Sequence, residues 1–391
     1  MMFSEELRRL RQHHLLRQIK DRSNPEGPAE SMHGRGLSRI LLNNTEFINF
    51  ASNDYLGLAC NKLVMEAAKL AIHEYGVGSG SSRLLAGGTE LHKKLEEMLA
   101  EFKETEAALL FNSGYTANVS TIPSIATDGD IIFSDELNHA SIIDGCRLSK
   151  ARRIVYRHSD VDHLAALIKK EPGRRKIVIT DTIFSMDGDI APIRELFVFC
   201  RKHNAILYLD DAHGTGVLGE GSGALRHFDI KPEPWIIQMG TLSKAIGSFG
   251  AFIAADRGVI EWLINTGRGV VYSTTLPPCI IGASIKALSI IQTRKTLVKK
   301  LWQNRAELFN GIKELGFDTL GSETPIIPIV VGDTAATVRF SEKLAEHHIY
   351  APAIRQPTVK LPRIRIAVTA THTREDIRAL LSALSAAKYV L

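Results

Sequence analysis

The sequence contains little cysteine, and the cysteines it has are far apart. There are four in 391 residues, and none of them forms the close pairs that zinc sites and redox dithiols require. This scatter excludes a zinc-finger or dithiol protein, and it predicts reduced, mostly buried thiols and no bound metal. The four positions are Cys60, Cys146, Cys200 and Cys279.

Three other features are also missing. Lysine and arginine form no uninterrupted basic tract and the formal net charge is only +5, so nucleic acid is not an expected partner. No stretch approaches the roughly twenty apolar residues of a membrane span, and residues 1–20 lack the apolar block of a signal peptide. We therefore expect a cytoplasmic protein that binds neither nucleic acid nor membrane.

The composition is that of an ordinary globular protein, with 45% hydrophobic and 23% charged residues. A chain of 391 residues is too long for one typical core, which predicts a large domain and a smaller one. Residues 1–20 have the pattern of an amphipathic helix, and a Pro/Gly-containing link follows at 23–28. We assign an N-terminal arm to 1–46, a large domain to 47–276 and a small C-terminal domain to 277–391.

Apolar segments typical of β-strands alternate with helical segments across the large domain. A helix is predicted at 90–102, where apolar side chains recur on one face. This alternation predicts an α/β fold with a mostly parallel sheet between helices. In the small domain, two strands and a last helix beginning at Thr373 predict an α+β arrangement. The strands predicted in the large domain are 107–111, 131–133, 177–180, 205–210, 235–239 and 250–254.

Lys244 follows an apolar run and has small residues around it, which is the pattern of a lysine at the end of a buried strand. Desolvation disfavours the charged ammonium and frees the amine to attack a carbonyl, which is how lysines hold pyridoxal phosphate. A lone lysine in such a place more often extends its amine into water. The polar residues at the neighbouring strand ends favour the first interpretation.

Asp210 ends another predicted strand. A buried carboxylate is costly unless it meets a cation, and a protonated pyridine nitrogen would serve. The ring held in this way becomes an electron sink. His213, three residues later, could donate to the phenolic oxygen of the same ring. The structural alternatives are a turn cap for the aspartate and a packing role for the histidine.

Other strand ends carry residues that suit the same cofactor. Segment 111–115 joins a predicted strand to a helix, a placement that points backbone N–H groups at a phosphate. His139 could stack on a pyridine ring or fill a pocket wall, and Ser185 could serve the site or only its turn. Each signal is weak alone, but together they lie at successive strand ends, where ligands bind open α/β sheets.

Taken in order, several segments resemble those of the α-oxoamine synthases. These are pyridoxal-phosphate enzymes of aspartate-aminotransferase fold type I that condense an amino acid with an acyl thioester and release carbon dioxide. The resemblance extends from about residue 47 to the C-terminal helix, and an ordered set is more specific than any single match. The segments are SNDYLGL at 52–58, GSGSSR at 78–83, DDAHGTG at 210–216, TLSK at 241–244 and YSTTLPP at 272–278.

The resemblance implies a role for each residue around the cofactor ring. Lys244 would form the Schiff base and act as the base that moves a proton, and Asp210 would pair with the pyridinium nitrogen. His213 would hydrogen-bond the ring oxygen. His139 would stack on the ring, with Ser185 beside it.

The resemblance also implies how the phosphate is held. The backbone of Gly114 and Tyr115 and the hydroxyl of Thr241 would bind it, together with Ser273 or Thr274 from a second subunit. A contact of that kind across two chains implies a homodimer with shared active sites.

Substrate residues are implied in the same way. Arg355 resembles the arginine that binds the amino-acid carboxylate, a task that suits a bidentate guanidinium. Asn53 is assigned to the substrate as well, and Arg17 to the acyl substrate, although surface charge is the alternative for Arg17. Segments 78–87 and 353–359 favour the family members that join L-alanine to a pimeloyl thioester, either pimeloyl-CoA or a pimeloyl acyl carrier protein.

Alternatives remain open for the reaction. Segment 134–145 also resembles family members that acetylate glycine from acetyl-CoA. Another pyridoxal-phosphate reaction on the same fold, such as transamination or decarboxylation, is a second alternative. A catalytically silent protein that keeps the fold as a binding module is a third.

Overall fold

The computed structural model of the chain describes residues 3–17, 19, 21–22 and 36–388. The chain divides into two compact units. The core unit consists of Asn61–Phe184 and Ile190–Val298, and the terminal unit consists of Met1–Cys60, Ser185–Asp189 and Lys299–Leu391.

The secondary structure is numbered in chain order. The strands are β1 (Arg39–Leu42), β2 (Thr45–Asn49), β3 (Ala107–Phe111), β4 (Ile131–Asp135), β5 (Arg152–Tyr156), β6 (Lys176–Asp181), β7 (Ile206–Asp210), β8 (Ile236–Thr241), β9 (Ala251–Ala255), β10 (Ile326–Val330), β11 (Ile349–Tyr350), β12 (Ala353–Ile354) and β13 (Arg363–Ala367). The helices are α1 (Ser4–Gln12), α2 (Lys62–Tyr75), α3 (Glu90–Phe102), α4 (Gly114–Ile125), α5 (Ala140–Leu148), α6 (Val161–Ile168), α7 (Ile193–His203), α8 (Ala224–His227), α9 (Arg257–Thr266), α10 (Arg268–Val271), α11 (Pro278–Thr293), α12 (Thr296–Glu314), α13 (Thr334–Glu346) and α14 (Arg374–Ala387).

A seven-stranded sheet in the order β3-β9-β8-β7-β6-β4-β5 forms the centre of the core unit. Strand β9 runs antiparallel to β3 and β8, and the remaining neighbouring pairs are parallel. The carboxyl ends of β3, β4, β6, β7 and β8 therefore lie at one edge of the sheet. Strands such as β4 and β9 are buried along their whole length, as expected for a sheet covered by helices on both faces.

Helix α3 shows how the sequence pattern produces the packing. Leu95 and Leu99 lie four residues apart on one face, and both are fully buried. At its start, the Thr89 backbone N–H donates to Nδ1 of His92 (3.1 Å), which closes a capping box with a histidine in the usual place of a glutamate. The helix predicted at 90–102 is confirmed with both ends in place.

The terminal unit contains two three-stranded sheets, in the orders β1-β2-β11 and β10-β13-β12. Strands β1 and β2 form a hairpin whose turn residues, Asn43 and Asn44, both have positive φ (48° and 61°). Asparagine tolerates this conformation, and a turn of that kind matches the twist of the two strands. Strand β2 then pairs in parallel with β11, some 300 residues later in the chain.

The sequence predictions agree with the fold in most places. The α/β class is confirmed, and each predicted strand of the large domain matches an observed one within two residues. The last helix starts at its Thr373 cap with Asp376 as partner, as predicted. Strand β5 was not predicted, because its exposed arginines give it no continuous apolar run.

The N-terminal region differs from its prediction. The first helix is α1, which ends at Gln12 rather than extending to residue 20. Strand β1 and the start of β2 fall inside the predicted arm 1–46, and their pairing joins this region to the terminal unit. The compact units divide at 60/61 and 298/299, whereas the predicted boundaries are 46/47 and 276/277. The predicted link at 23–28 lies outside the described residues.

No helix within the described ranges is both long enough and apolar enough to cross a membrane.

Candidate active site

A cavity of about 180 Å³ lies in the core unit, where the parallel strands end. Residues that end or follow β3, β4, β6, β7 and β8 all contribute to its wall, as expected at the carboxyl edge of such a sheet. The lining consists of Gly114, Tyr115, His139, Ser141, Asp181, Asp210, Ala212, His213, Met239, Thr241, Ser243 and Lys244.

Lys244 reaches this cavity from the turn after β8. Thr241 ends the strand, and its hydroxyl donates to the Gly250 carbonyl (2.9 Å). The Gly247 N–H donates to the Lys244 carbonyl (2.8 Å) and closes the turn on the other side. The lysine backbone is thereby fixed while its half-buried side chain faces the cavity. This is the setting that the sequence predicts for a Schiff-base lysine.

Asp210 ends β7 and is buried, with 3% of its surface exposed. Its Oδ2 accepts from Asn118 Nδ2 (2.8 Å), and its Oδ1 accepts from the Ala212 backbone N–H (3.0 Å). Burial raises the pKa of Asp210, and the nearby Lys244 charge and the Asn118 hydrogen bond act against that rise. A cation placed against this carboxylate would be held strongly.

His139 is the N-cap residue of α5 and lies on the wall of the same cavity. Its backbone N–H donates to Asp181 Oδ2 (2.6 Å), which ties it to the end of β6. Burial lowers the pKa of the imidazole, so the ring favours its neutral form. Burial also raises the pKa of Asp181 well above its usual range, and the neighbouring Asp210 adds to that rise. His213 is buried and lines the cavity as well.

The N-terminus of α4 provides donors that suit a phosphate. Ser113 caps the helix: its hydroxyl accepts from the Thr116 N–H (3.1 Å), and its carbonyl accepts from the Ala117 N–H (2.9 Å). The backbone N–H groups of Gly114 and Tyr115 have no such partner within the described residues. Orphan N–H groups at a helix N-terminus bind anions, and the helix dipole adds to this preference.

Ser273 and Thr274 do not line this cavity, but they are joined to it through one side chain. Asn112 Nδ2 donates to Ser273 Oγ (2.8 Å) and to the Thr274 carbonyl (2.8 Å). Asn112 stands two residues before Gly114, in the turn that precedes α4. The segment with Ser273 therefore lies next to the phosphate-type donors of its own chain.

Asn53 and Ser185 belong to the terminal unit, where they share a neighbour. Arg365 Nη2 donates to Asn53 Oδ1 (3.0 Å), and Arg365 Nε donates to the Ser185 carbonyl. Two residues earlier on β13, Arg363 forms an ion pair with Asp187. Both arginines are buried, although their alternation with isoleucine is typical of a strand with one solvated face.

Arg17 and Arg355 lie elsewhere in the terminal unit, on a cavity of about 580 Å³. Arg355 Nη2 donates to the Leu16 carbonyl (2.9 Å), and Arg17 Nη2 donates to Thr358 Oγ1 (2.9 Å). The buried Nε of Arg355 has no hydrogen-bond partner among the described residues. The rest of the wall combines apolar side chains, such as Val338 and Ile349, with the polar Ser341 and the acidic Glu342. The two guanidinium groups and the apolar side chains suit an anionic group with an apolar chain.

Seven predicted residues thus come together at the strand ends, and the others do not line that cavity. The seven are Gly114, Tyr115, His139, Asp210, His213, Thr241 and Lys244. Sequence reasoning missed five further polar residues. Asp181 could have been found by the rule used for Asp210, because it also ends a buried strand. The other four, Asn118, Ser141, Ser243 and Arg365, carry no local signal that separates them from helix, turn or surface residues.

These features fit pyridoxal phosphate. The orphan N–H groups of Gly114 and Tyr115 suit its phosphate, and the buried carboxylate of Asp210 suits its ring nitrogen. Lys244 suits its aldehyde. A metal ion has no comparable place, since the described residues contain no group of three or more histidine, cysteine, aspartate or glutamate side chains arranged to hold one.

Comparison with known proteins is decisive for the family. The model of the family described as aminotransferase class I and II matches residues 45–384. An 8-amino-7-oxononanoate synthase of Thermoanaerobacter pseudethanolicus is 45% identical over 97% of this chain and 94% of its own. The chain belongs to the class I and II aminotransferases and, among them, to the α-oxoamine synthases. The resemblance seen in its sequence segments is confirmed.

Two further members of this family are similar over nearly their full length. A protein of Thermodesulfovibrio yellowstonii, provisionally named 8-amino-7-oxononanoate synthase, is 52% identical over 98% of this chain and 97% of its own. A serine palmitoyltransferase from S. paucimobilis, solved with PLP and myriocin bound, has a TM-score of 0.92 at 25% identity, covering 100% of this chain and 98% of that one. The fold type I prediction agrees with this structural likeness.

Proposed function

We propose that the chain condenses L-alanine with a pimeloyl thioester to give 8-amino-7-oxononanoate, carbon dioxide and a free thiol, a step of biotin synthesis. The thioester is pimeloyl-CoA or a pimeloyl carrier protein. One observation carries the proposal: Lys244, Asp210 and the N-terminus of α4 meet at one cavity in a chain whose relatives bear the name of this synthase. The site of action is the cytoplasm.

The cofactor is pyridoxal phosphate, which supplies an aldehyde for the amino group and a ring that accepts the electron pair left at the alanine Cα. Lys244, which lines the cavity, would hold the cofactor covalently through its amine, and the amino group of alanine would take that place. The freed amine of Lys244 then removes the Cα proton, a task that suits a half-buried lysine facing the cavity. The new Cα–C bond would form to the thioester carbonyl as its C–S bond breaks, and the leaving thiolate would take a proton from solvent. The alanine carboxylate would then depart as carbon dioxide, and Lys244 would return to Cα the proton that it removed.

The side chains around the ring hold it in one orientation and one protonation state. Asp210 would keep the ring nitrogen protonated, and His213 would donate to the ring oxygen. His139, the N-cap residue of α5, would pack against the ring face. The sequence resemblance assigns Ser185 to the cofactor as well. Because these groups are fixed by the strand ends that carry them, little reorganisation is needed during the reaction.

The phosphate is held by the N–H groups of Gly114 and Tyr115 and by the hydroxyl of Thr241. Ser273 or Thr274 adds a contact, which we assign to a homodimer with shared active sites. The Asn112 hydrogen bonds set the direction of this segment within its own chain. In such a dimer, Ser273 of each chain has two contacts. It binds the phosphate in the partner's site, and it accepts a hydrogen bond from Asn112 of its own chain.

Two arginines are candidates for the alanine carboxylate. Arg355 is the one that sequence resemblance favours, and its Nε has no hydrogen-bond partner among the described residues. Arg365 is the one whose surroundings favour it, since it contacts Asn53 and Ser185, two residues already assigned to substrate and cofactor. Either guanidinium would fix which Cα bond stands perpendicular to the cofactor ring, and that orientation decides which bond breaks.

Arg17 serves the acyl substrate in this proposal. It lies with Arg355 and Thr358 on the larger cavity of the terminal unit, where two guanidinium groups share the wall with apolar side chains and with Glu342. A pimeloyl thioester combines a carboxylate with an apolar chain. If Arg365 binds the alanine carboxylate, Arg355 is free to bind the acyl substrate beside Arg17.

An assay of thiol release separates this proposal from its alternatives. Alanine, glycine and serine are each tested against acetyl, succinyl, pimeloyl and palmitoyl thioesters, with CoA and carrier protein as thiols. We expect release only when an amino acid and a thioester are both present, and highest activity with alanine and the pimeloyl group. Activity confined to glycine and acetyl-CoA would make the chain a glycine C-acetyltransferase, which segment 134–145 resembles.

Two other outcomes would move the chain out of this reaction class. Transamination or decarboxylation of the amino acid without any thioester would assign another reaction to the same cofactor. Purified protein that lacks the yellow absorbance of a lysine-bound cofactor, and fails to gain it when pyridoxal phosphate is added, would favour a silent binding module.

A further inference from the structure

One buried carboxamide connects two of the residues that surround the proposed cofactor ring. Asn118 lies on α4, four residues after Gly114 and therefore on the same face of the helix. It is fully buried. Its Nδ2 donates to Asp210 Oδ2 (2.8 Å) and to Ser141 Oγ (2.8 Å). Both amide hydrogens are thereby used, one for the end of β7 and one for the first turn of α5.

The direction of the carboxamide is set by Tyr208. Its phenol donates to Asn118 Oδ1 (2.7 Å), so the oxygen points at Tyr208 and the amide hydrogens point at Asp210 and Ser141. A rotated amide would place its oxygen against the Asp210 carboxylate. Burial raises the pKa of Tyr208 well above its usual range, so the phenol keeps the proton that fixes this orientation.

The branch through Ser141 determines the proton on His139. Ser141 Oγ already accepts from Asn118, so its single proton is available for His139 Nδ1, 2.7 Å away. The Ser141 backbone N–H points at the same nitrogen (3.3 Å). Nδ1 is therefore an acceptor. In the neutral ring, which burial favours, the proton lies on Nε2.

We infer that Asn118 is a positioning residue for the proposed reaction: one carboxamide holds the Asp210 carboxylate in place and, through Ser141, assigns the His139 proton to Nε2. The hydrogen bonds of Asn118 do not depend on the proposed function, but the use that the reaction makes of them does. Asp210 keeps its charge for the ring nitrogen, and His139 presents an N–H donor rather than an acceptor at Nε2. Asn118 thus fixes both the position of the Asp210 carboxylate and the tautomer of His139, although it would touch neither cofactor nor substrate.

The test uses variants that remove the branches separately. Asn118→Leu removes both branches at nearly constant volume, Ser141→Ala removes only the branch to His139, and Tyr208→Phe removes only the anchor of the amide. Thr121→Val is the matched control, because Thr121 is buried on the same helix and its hydroxyl has no partner within the described residues. Thermal unfolding establishes that each variant is folded.

Two spectroscopic readouts report on the two branches. Nitrogen-15 NMR of the imidazoles, with His139→Gln to assign the signal, gives the tautomer of His139 in protein free of cofactor. Nitrogen-15 NMR of ring-labelled pyridoxal phosphate bound to the protein gives the protonation of the ring nitrogen. The first readout is valid whether or not the chain carries out the proposed reaction.

The expected results differ between the variants. Wild-type protein and Thr121→Val should show His139 with its proton on Nε2 and a protonated ring nitrogen. Ser141→Ala should change only the His139 tautomer, towards a mixture. Asn118→Leu should change both signals and lower turnover by about tenfold or more, as expected for a lost hydrogen bond to a charged group. Tyr208→Phe should move both signals in the same direction as Asn118→Leu does, but by a smaller amount.

Other results would overturn the inference. A wild-type His139 with its proton on Nδ1, or a folded Asn118→Leu protein with both signals unchanged, would show that Asn118 sets neither group. If Asn118→Leu does not fold, unchanged tautomers in Ser141→Ala and Tyr208→Phe lead to the same conclusion. Failure of every protein, including wild type, to bind pyridoxal phosphate would refute the proposed function, while the tautomer result would still decide the hydrogen-bond assignment.

Discussion

Lys103 Nζ and Asp211 Oδ2 form an ion pair 2.6 Å apart, with 0% and 2% of the respective side chains exposed. The pair lies directly behind the site, because Asp211 follows Asp210 and its carbonyl accepts the N–H groups of Gly214 and Thr215. The loop that carries His213 is thus built around a neutralised carboxylate. Asp211 therefore closes the turn with its backbone carbonyl and neutralises Lys103 with its side chain.

Replacement of Lys103 should destabilise the protein strongly. Lys103→Met leaves the Asp211 carboxylate buried without its cation, and breaking one side of such a pair costs about 3–5 kcal/mol. Lys93→Met is the matched control, because Lys93 and Glu97 are 3.8 Å apart and 79% and 66% exposed. A pair of that kind contributes about 0–1 kcal/mol. Urea unfolding of both variants measures the difference, and equal unfolding midpoints would contradict the argument.

Lys244→Ala should abolish turnover without abolishing cofactor binding. The Schiff base and the base that takes the Cα proton are both lost, and a general base alone contributes about a hundredfold or more. The N–H groups at the start of α4 and the Asp210 carboxylate remain to hold the cofactor. Absorbance should show bound but unlinked cofactor, and a thiol-release assay should show no activity. Exposed Lys231, changed to alanine, is the control; near-normal activity of Lys244→Ala would refute the central assignment.

Two conservative variants should decide which arginine binds the alanine carboxylate. Lysine keeps the charge but loses the bidentate fork, so Arg365→Lys should raise the KM for alanine by about tenfold or more if Arg365 has this role. Arg355→Lys should then affect mainly the KM for the thioester. If Arg355→Lys instead raises the KM for alanine and Arg365→Lys does not, Arg355 is the residue that binds the alanine carboxylate. Initial-rate kinetics with each substrate varied in turn measures both constants.

The stability of the terminal unit should depend on pH through His372. This residue stacks on Phe50 with ring centroids 4.2 Å apart, and burial lowers its pKa to about 4 from an ordinary value of 6.5. Between these values the unfolded chain binds the proton and the folded chain does not. The stability contribution is therefore intact above pH 6.5 and is lost as the pH falls towards 4, by about 3 kcal/mol in total.

The measurement compares wild type with His372→Gln, by urea unfolding at pH 7, 5.5 and 4.5. The difference between the two proteins should shrink as the pH falls. The comparison is needed because Asp54, whose pKa is raised by burial to about 6, changes stability in the opposite direction. A constant difference across this range would show that His372 takes up its proton without loss of the fold.

The parts of the site that the sequence predicts are those with a local signal. Asp210 and Lys244 follow apolar runs, and Gly114 stands between a strand and a helix, so each can be recognised from about ten neighbouring residues. The parallel order of the strands then brings them to one edge. The family resemblance added the roles of these residues, and the fold class agrees with it.

The parts that were missed depend on contacts between distant segments. Asn118 contacts Asp210 across 92 positions in sequence, and Arg365 contacts Asn53 across 312. Arg363 and Arg365 alternate with isoleucine, a pattern typical of a half-exposed strand. Only the tertiary partners that neutralise or satisfy them allow both arginines to be buried. Pairing of β2 with β11 is non-local in the same way, so the sequence pattern of residues 1–46 predicts only an arm.

The hydrogen bond between Asn49 and His372 joins residues 323 positions apart, and Phe50 stacks on the same histidine. During synthesis at about 5–20 residues per second, roughly 15 to 65 seconds pass before that histidine exists. Through this interval Phe50, Tyr55 and Leu56, all buried in the finished protein, have no completed core to enter. The order of synthesis therefore leaves these apolar side chains in need of protection from aggregation until the C-terminal part of the chain has been made.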